Sequence, residues 1–383
     1  MLMKRLFTIG ILLILTGCWS SKELVEYGFI MGVSFDENEN EEIEFYAQIY
    51  SPAETIGGTS GSETPFYTNI NLEGKSVFET ARDIPLHLGR KAQWSHMRVL
   101  LIGEDFAKAH NIGDVLEFFY RDHETRLMSY VIITNGKASD YWEMKPFIER
   151  TISQELRTIL DNSTNFTGKS TKSKLLNVAI NLSSKSKTTL IPYIKKATND
   201  SLTPVATGAA VLQEGKMVNY VDPADLETLI MLNDEYKGGI INFPCMNNEI
   251  EHLKEALEVY SLETKLSPQL NQESLFINIT TKINGSLGEL QCSSVTTADE
   301  LKNLEKHIAE SIQADMNNVI RYLQENELDV LGIADKLYQQ KPQLWKKHQA
   351  DWGMLLAGSE VNLEVEVKVD STGMAGGEKV VEE

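Results

Sequence analysis

The sequence predicts a multi-domain α+β fold: mixed and antiparallel sheets with packed helices, and a long amphipathic helix on the sheet of a C-terminal domain. Three observations carry this. Val361, Leu363, Val365, Val367 and Val369 alternate with Asn362, Glu364, Glu366 and Lys368, the period of a strand with one buried and one wet face. Leu301, Leu304, Ile308, Ile312, Met316, Val319 and Leu323 recur every three or four residues, the single apolar stripe of a helix that needs a sheet to lie on. Between residues 76 and 134 short apolar runs and helix-period segments alternate, as in a mixed α/β unit built on one sheet.

Taken in order, the chain opens with Lys4 and Arg5, an apolar run over 6–15 and small residues before a cysteine, in Leu15-Thr16-Gly17-Cys18. This is the anatomy of a secretory signal, here cut before Cys18, with the cysteine as lipid acceptor. The run is much shorter than the roughly 20 apolar residues of a membrane-crossing helix. Residues 28–35 and 43–50 are β-prone, and in the second Ile43, Phe45, Ala47 and Ile49 alternate with polar or amphipathic neighbours, predicting a hairpin. Residues 51–65, rich in Gly, Ser and Thr, read as an exposed loop.

Ser76 and Glu79 have capping-box spacing ahead of Val77, Phe78, Ala81 and Ile84, predicting a helix. Residues 98–103 read as a buried strand, 112–120 as a helix and 129–134 as another strand. From 162 to 187 Ser, Thr, Asn and Lys dominate around an apolar 175–180, a connector or small middle domain holding one short helix. Glu214-Gly215 marks a hairpin, and Asp222-Pro223 a helix start with proline at its first position. Strands are expected at 239–243, 257–266 and 275–283, and the long helix over about 299–324 with Thr297 and Glu300 as its capping box. The resulting division is a signal over 1–17, an N-terminal α/β domain over 18–161, the connecting region over 162–203, a C-terminal α+β domain over 204–371 and a tail over 372–383.

With 383 residues and 42% hydrophobic content, the chain can bury more than one core. Loss of Lys4 and Arg5 with the signal takes the formal charge from −19 to −21, a balance that repels phosphate backbones and anionic lipid headgroups, disfavours nucleic acid as a partner and leaves the membrane hold to the lipid. Once Cys18 is acylated, Cys245 and Cys292 remain, too few for a disulfide framework. Two separate thiols are the preferred reading, and a single bridge in an oxidising compartment is the alternative.

The seven histidines are scattered, with no His-Glu-x-x-His, and no Walker loop, dinucleotide glycine pattern or Gly-x-Ser-x-Gly elbow is present. No catalytic residue, cofactor or metal is therefore expected. The charged run from Arg121 to Arg126 reads as a solvated turn with weak ion pairs rather than an acid/base site. Trp345 and Trp352 flank a polar segment; exposed they would anchor a protein partner, whereas burial beneath a loop is the default.

Several segments in order along the chain resemble one family. They are Cys18-Trp19-Ser20-Ser21-Lys22-Glu23-Leu24, the run from His96 to Glu104, Tyr120-Arg121-Asp122, Gly208-Ala209-Ala210-Val211, Lys237-Gly238-Gly239-Ile240, Leu328-Asp329-Val330-Leu331-Gly332-Ile333, and Pro342 to Trp345 with Trp352. In these the chain is similar to the C subunit of nutrient germinant receptors of endospore-forming bacteria, the Ger(x)C lipoproteins. Ser20-Ser21 and Ala334 depart from the family pattern. The resemblance implies a spore lipoprotein with a diacylglyceryl, palmitate-bearing cysteine on the outer face of the spore inner membrane. It further implies A and B receptor subunits as partners, an α+β fold of three unusual domains and no known enzymatic activity. A lipid-anchored solute-binding protein delivering a nutrient to a membrane transporter is the alternative.

Overall fold

The computed structural model describes residues 24–50, 67–197, 203–246, 253–271 and 274–371. The signal, Cys18, the 51–65 loop and the tail expected over 372–383 lie outside these residues, the loop together with its neighbour Phe66.

A 3-10 turn at Leu24–Glu26 leads into β1 (Tyr27–Glu37), which pairs antiparallel with β2 (Ile43–Tyr50) in the expected hairpin; β2 pairs in turn with β3 (Tyr67–Gly74). Then come α1 (Val77–Leu88), β4 (Lys91–Gln93), β5 (Val99–Gly103), α2 (Glu104–Ala109), α3 (Ile112–Arg121) and β6 (Tyr130–Thr134). The chain continues through α4 (Ile152–Phe166), β7 (Ser173–Lys174), α5 (Leu175–Leu182), β8 (Thr188–Lys196), β9 (Pro204–Gln213) and β10 (Lys216–Val221). Together they build a sheet of order β10-β9-β8-β6-β5-β1-β2-β3, with β4 beside β1 and β7 beside β6. Its centre, β8, β6, β5 and β1, is parallel, and its flanks are antiparallel.

Both faces of this sheet are covered, as a parallel centre requires. On one, Val33, Phe35, Leu100, Ile102, Val131 and Ile133 pack against α1, α3 and α5. On the other, Val99, Leu101, Tyr130 and Ile132 meet α4 and the buried pair Tyr141 and Trp142. Buried Asp36 holds the turn carrying that pair, accepting hydrogen bonds from the backbone N–H groups of Ala138 and Ser139 at 2.8 Å each.

A second sheet, β11 (Gly239–Pro244), β12 (Lys254–Asn271), β13 (Ser274–Glu289) and β14 (Glu360–Ser371), follows α6 (Pro223–Leu232). Its first three strands are antiparallel; β14 returns parallel to β13 after a helical excursion through α7 (Ala298–Glu325), α8 (Ile333–Gln340), α9 (Pro342–His348) and α10 (Trp352–Ala357). The apolar stripe of α7 lies on the face formed by Ile277, Ile279, Ile283, Leu363 and Val365. Its capping box is present, with Glu300 N–H donating to Thr297 Oγ1 at 3.2 Å and Thr297 N–H to Glu300 Oε2 at 2.9 Å.

Two expectations need correction. Ser76 caps α1 with its backbone only, because its carbonyl takes the Thr80 hydroxyl at 2.8 Å and its side chain makes no capping bond; Phe78 lies exposed rather than on the buried stripe. The polar stretch read as a connector from 162 is partly helix α4 and otherwise supplies β7, α5 and β8 to the first sheet. Leu175 and Val178 are fully buried, and the Ser and Thr residues lie in α4, in β7 and in the turns between elements rather than in a linker. The hairpin at Glu214-Gly215 also joins this sheet. β9 is the shared element: Ala210 and Leu212 face the first core, Ala209 and Val211 the second.

Candidate functional site

The charged run after α3 resolves into separate surface pairs. Arg121 meets Glu117 at 2.5 Å, Asp122 meets Arg82 at 3.3 Å, and Glu124 meets Lys91 at 2.5 Å. Asp122 also turns the backbone by accepting from Glu124 N–H at 2.8 Å. Arg121, Asp122 and Glu124 are each engaged by a neighbour, the arrangement expected of a turn with ion pairs rather than of an acid/base site.

The two tryptophans lie inside the C-terminal unit. Trp345 is 4% and Trp352 9% exposed, and their rings meet edge to face with centroids 4.9 Å apart. Both are thus buried, as the default reading of this segment expects. Their neighbour Asp329 was not singled out as a site by sequence reasoning. It accepts from the backbone N–H groups of Ile333 at 2.7 Å and Ala334 at 2.8 Å, and from the Trp352 indole at 3.1 Å. Gly332, with φ of 63°, turns the chain so that the first amides of α8 face this carboxylate. Burial pushes the Asp329 carboxyl up to about 6, the three hydrogen bonds opposing it. The signal was present in the sequence, in an aspartate three residues before Gly332 and a helix-period run.

Cys245 and Cys292 are disulfide-bonded, with Cα atoms 6.0 Å apart, against the preferred reading of two separate thiols. Register explains it. Pro244 pairs with Lys254 and Ala256 with Glu289, so the strand ends carrying the two cysteines flank the start of β12 at one end of the sheet. Fully buried Glu255 secures the same corner, accepting from Cys292 N–H at 3.1 Å and from the N–H and hydroxyl of Ser293 at 2.7 Å each.

Two polar cavities lie where the units meet. One of about 460 Å³ runs between the 184–188 turn and the start of α8. Of the two carboxylates lining it, Glu235 and Asp335, the latter accepts from Lys185 N–H at 2.7 Å and Ser186 N–H at 3.2 Å. The other, about 670 Å³, is bordered by Asp225, Glu227, Asp315, Lys169 and Lys254. Burial, then like charge, pushes the Asp225 carboxyl up, and burial likewise raises Asp315. Among the described residues no cluster of His, Cys, Asp and Glu is arranged to hold a metal ion, and no helix is long and apolar enough to cross a membrane.

The fold and its interior thus define a two-sheet α+β protein whose buried carboxylates Asp36, Glu255 and Asp329 are committed to turns and helix starts. The family model described as Spore germination protein N-terminal domain matches residues 20–196, and that described as Spore germination B3/GerAC like, C-terminal, matches residues 207–373. The chain belongs to this family of spore germination proteins. The junction between the two matches falls between β8 and β9, which pair with each other antiparallel. Spore germination protein B3 of Bacillus subtilis (strain 168) is 24% identical over 371 residues, covering 95% of this chain and 96% of that protein. Spore germination protein KC of the same organism is 22% identical over 381 residues, covering 94% and 93% respectively. A crystal structure of the GerBC protein shares the fold with a TM-score of 0.55 at 20% identity, covering 88% of this chain and 97% of that one.

Proposed function

We propose that the chain is a non-catalytic lipoprotein subunit of a nutrient germinant receptor, acylated at Cys18, held on the outer face of the spore inner membrane and assembled there with A and B subunits. The observation that carries the reading is full-length membership of a spore germination family combined with a signal that ends on Cys18. Two or more acyl chains make such attachment stable, since each buried methylene contributes about 0.8 kcal/mol. Confinement to the membrane plane raises the effective concentration of partners held in the same bilayer.

The test is Cys18→Ala at native expression level. Labelled fatty acid incorporation and nutrient-triggered germination should both fall, and pull-down of the tagged wild-type chain from detergent-solubilised spores should recover two further receptor subunits. Continued labelling of the variant would remove the anchor. The cavity beside Asp335 supports the alternative of a solute-binding protein. That reading predicts a saturable thermal shift with amino acids or sugars, and recovery of a transporter alone.

A further inference from the structure

One end of the first sheet gathers positive charge in a chain whose formal charge is −19. Strands β1, β5 and β6 run parallel, so the segments entering them, with His96 and Arg98 before β5 and Arg126 before β6, converge at the same sheet end. Neither Arg98 nor Arg126 has a carboxylate within ion-pair distance among the described residues, and the nearby acids are engaged elsewhere. Glu155 accepts from the backbone N–H groups of Ile148 and Glu149, Glu149 from the Thr158 hydroxyl, and Asp161 from the Tyr130 hydroxyl. The Arg98 Nε is buried and makes no hydrogen bond. Burial and then the charges of Arg98 and Arg126 hold the His96 imidazole below its usual range, as expected where cations face one another uncompensated.

The same end is apolar. Leu24, Phe29, Met31, His96, Arg98 and Arg150 line a cavity of about 520 Å³ there. The segment leading to Arg150 exposes Phe147 by 82% and Ile148 by 84%, and Leu24 is 69% exposed. Leu24 is also where the described chain begins, six residues after Cys18, a tether that spans at most roughly 20 Å. Exposed aromatic and aliphatic side chains beside arginines are the composition of an interfacial membrane surface.

We propose that this face docks on an anionic phospholipid bilayer, with His96, Arg98 and Arg126 against headgroup phosphates and Phe147 and Ile148 in the interfacial layer. The inference deepens the anchored reading, which supplies the reason for a membrane within reach. Docking fixes which side of the body faces the bilayer, something attachment through a lipid alone leaves free.

The test reconstitutes the full lipidated chain carrying Phe147→Cys, labelled with an environment-sensitive fluorophore, into vesicles of phosphatidylcholine alone or with about 30% phosphatidylglycerol. Flotation reports attachment, and quenching of the probe by neutral acrylamide, which the vesicle charge does not repel, reports docking. The expected result is flotation with both compositions and a severalfold drop in quenching on the anionic vesicles only, reversed by about 0.5 M NaCl and by Arg126→Glu. An Arg98→Glu variant that keeps the wild-type circular dichroism should behave alike. Flotation with equal quenching on both compositions overturns docking and leaves the anchor standing. Flotation on anionic vesicles alone, with the probe shielded, supports docking and removes the anchor. A chain that floats with neither overturns both. A probe left exposed on vesicles and shielded only by co-reconstituted protein would assign this face to a subunit contact and overturn the lipid proposal.

Discussion

Trp352 donates its indole N–H to Asp329 across 3.1 Å inside the C-terminal unit, and that carboxylate also receives the first amides of α8. One ionisable side chain therefore ties the turn after α7 to the helices that lead back to β14. Two of the segments that carry the family resemblance, 328–333 and the tryptophans at 345 and 352, meet at this point. Their shared role is to close the helical excursion over the second sheet.

Replacement of Asp329 by Ala leaves three donors without an acceptor, each costing about 1–3 kcal/mol. Unfolding by urea should show a loss of about 3 kcal/mol or more at neutral pH. The cost should depend on pH. A carboxyl raised from 3.8 to about 6 in the fold contributes stability that is fully present below its unfolded value and is lost as pH rises through about 6. The difference between wild type and variant should therefore grow by up to about 3 kcal/mol between pH 7 and pH 4. A difference that stays constant over this range would contradict the raised carboxyl.

The two capping-box spacings give a matched pair of expectations. Thr297→Ala removes a side-chain bond to Glu300 N–H and should cost about 1 kcal/mol. Ser76→Ala removes no capping bond and should stay within about 0.5 kcal/mol. Urea midpoints of the two variants, measured side by side, decide whether geometry or spacing governs.

Much of the architecture was legible because it rests on local periodicity. The β1–β2 hairpin, α7 with its Thr297 cap, the Asp222-Pro223 helix start and the alternating face of β14 all express patterns confined to one segment. What escaped was long-range. Nothing local in 162–187 says that Leu175 and Val178 lie on a sheet begun at Tyr27, nor that β9 divides its two faces between two cores. The disulfide was hidden for the same reason, since 47 positions separate its cysteines and only strand register brings them together. The proposed acylation at Cys18 rests on the order of charge, apolar run and small residues in the sequence alone. The buried acceptors Asp36 and Glu255 carry no such signal because their partners are mainly backbone amides far along the chain.

Gly208 opens the 208–211 segment of the family resemblance, and its backbone explains the residue. Its φ is +72°, and a Cβ there would lie 2.4 Å from the Val221 carbonyl oxygen and 2.6 Å from the Tyr220 hydroxyl. The left-handed conformation alone costs an L-residue roughly 1–2 kcal/mol, and the carbonyl belongs to backbone that must shift. Gly208→Ala should lower unfolding free energy by about 2 kcal/mol or more. Gly288→Ala, whose Cβ meets only ordinary contacts at 3.6 Å and beyond, should change it by less than about 0.5 kcal/mol.

The Cys245–Cys292 bond closes a loop of 47 residues containing β12 and β13, the central pair of the second sheet. Chain-entropy reasoning assigns about 4 kcal/mol to a loop of this length, an amount that native strain and residual structure in the unfolded chain reduce toward about 2 kcal/mol. Reduction, or the double replacement Cys245→Ser with Cys292→Ser, should lower unfolding free energy within that range. Glu255 should hold the corner in place, so that spectra of the reduced native state remain close to those of the oxidised one. Intact mass before and after thiol alkylation checks the bond directly: the oxidised chain takes up no alkylating groups at these two positions and the reduced chain takes up one at each. Alkylation of both cysteines without reductant, in protein prepared under oxidising conditions, would show that strand register alone holds this corner.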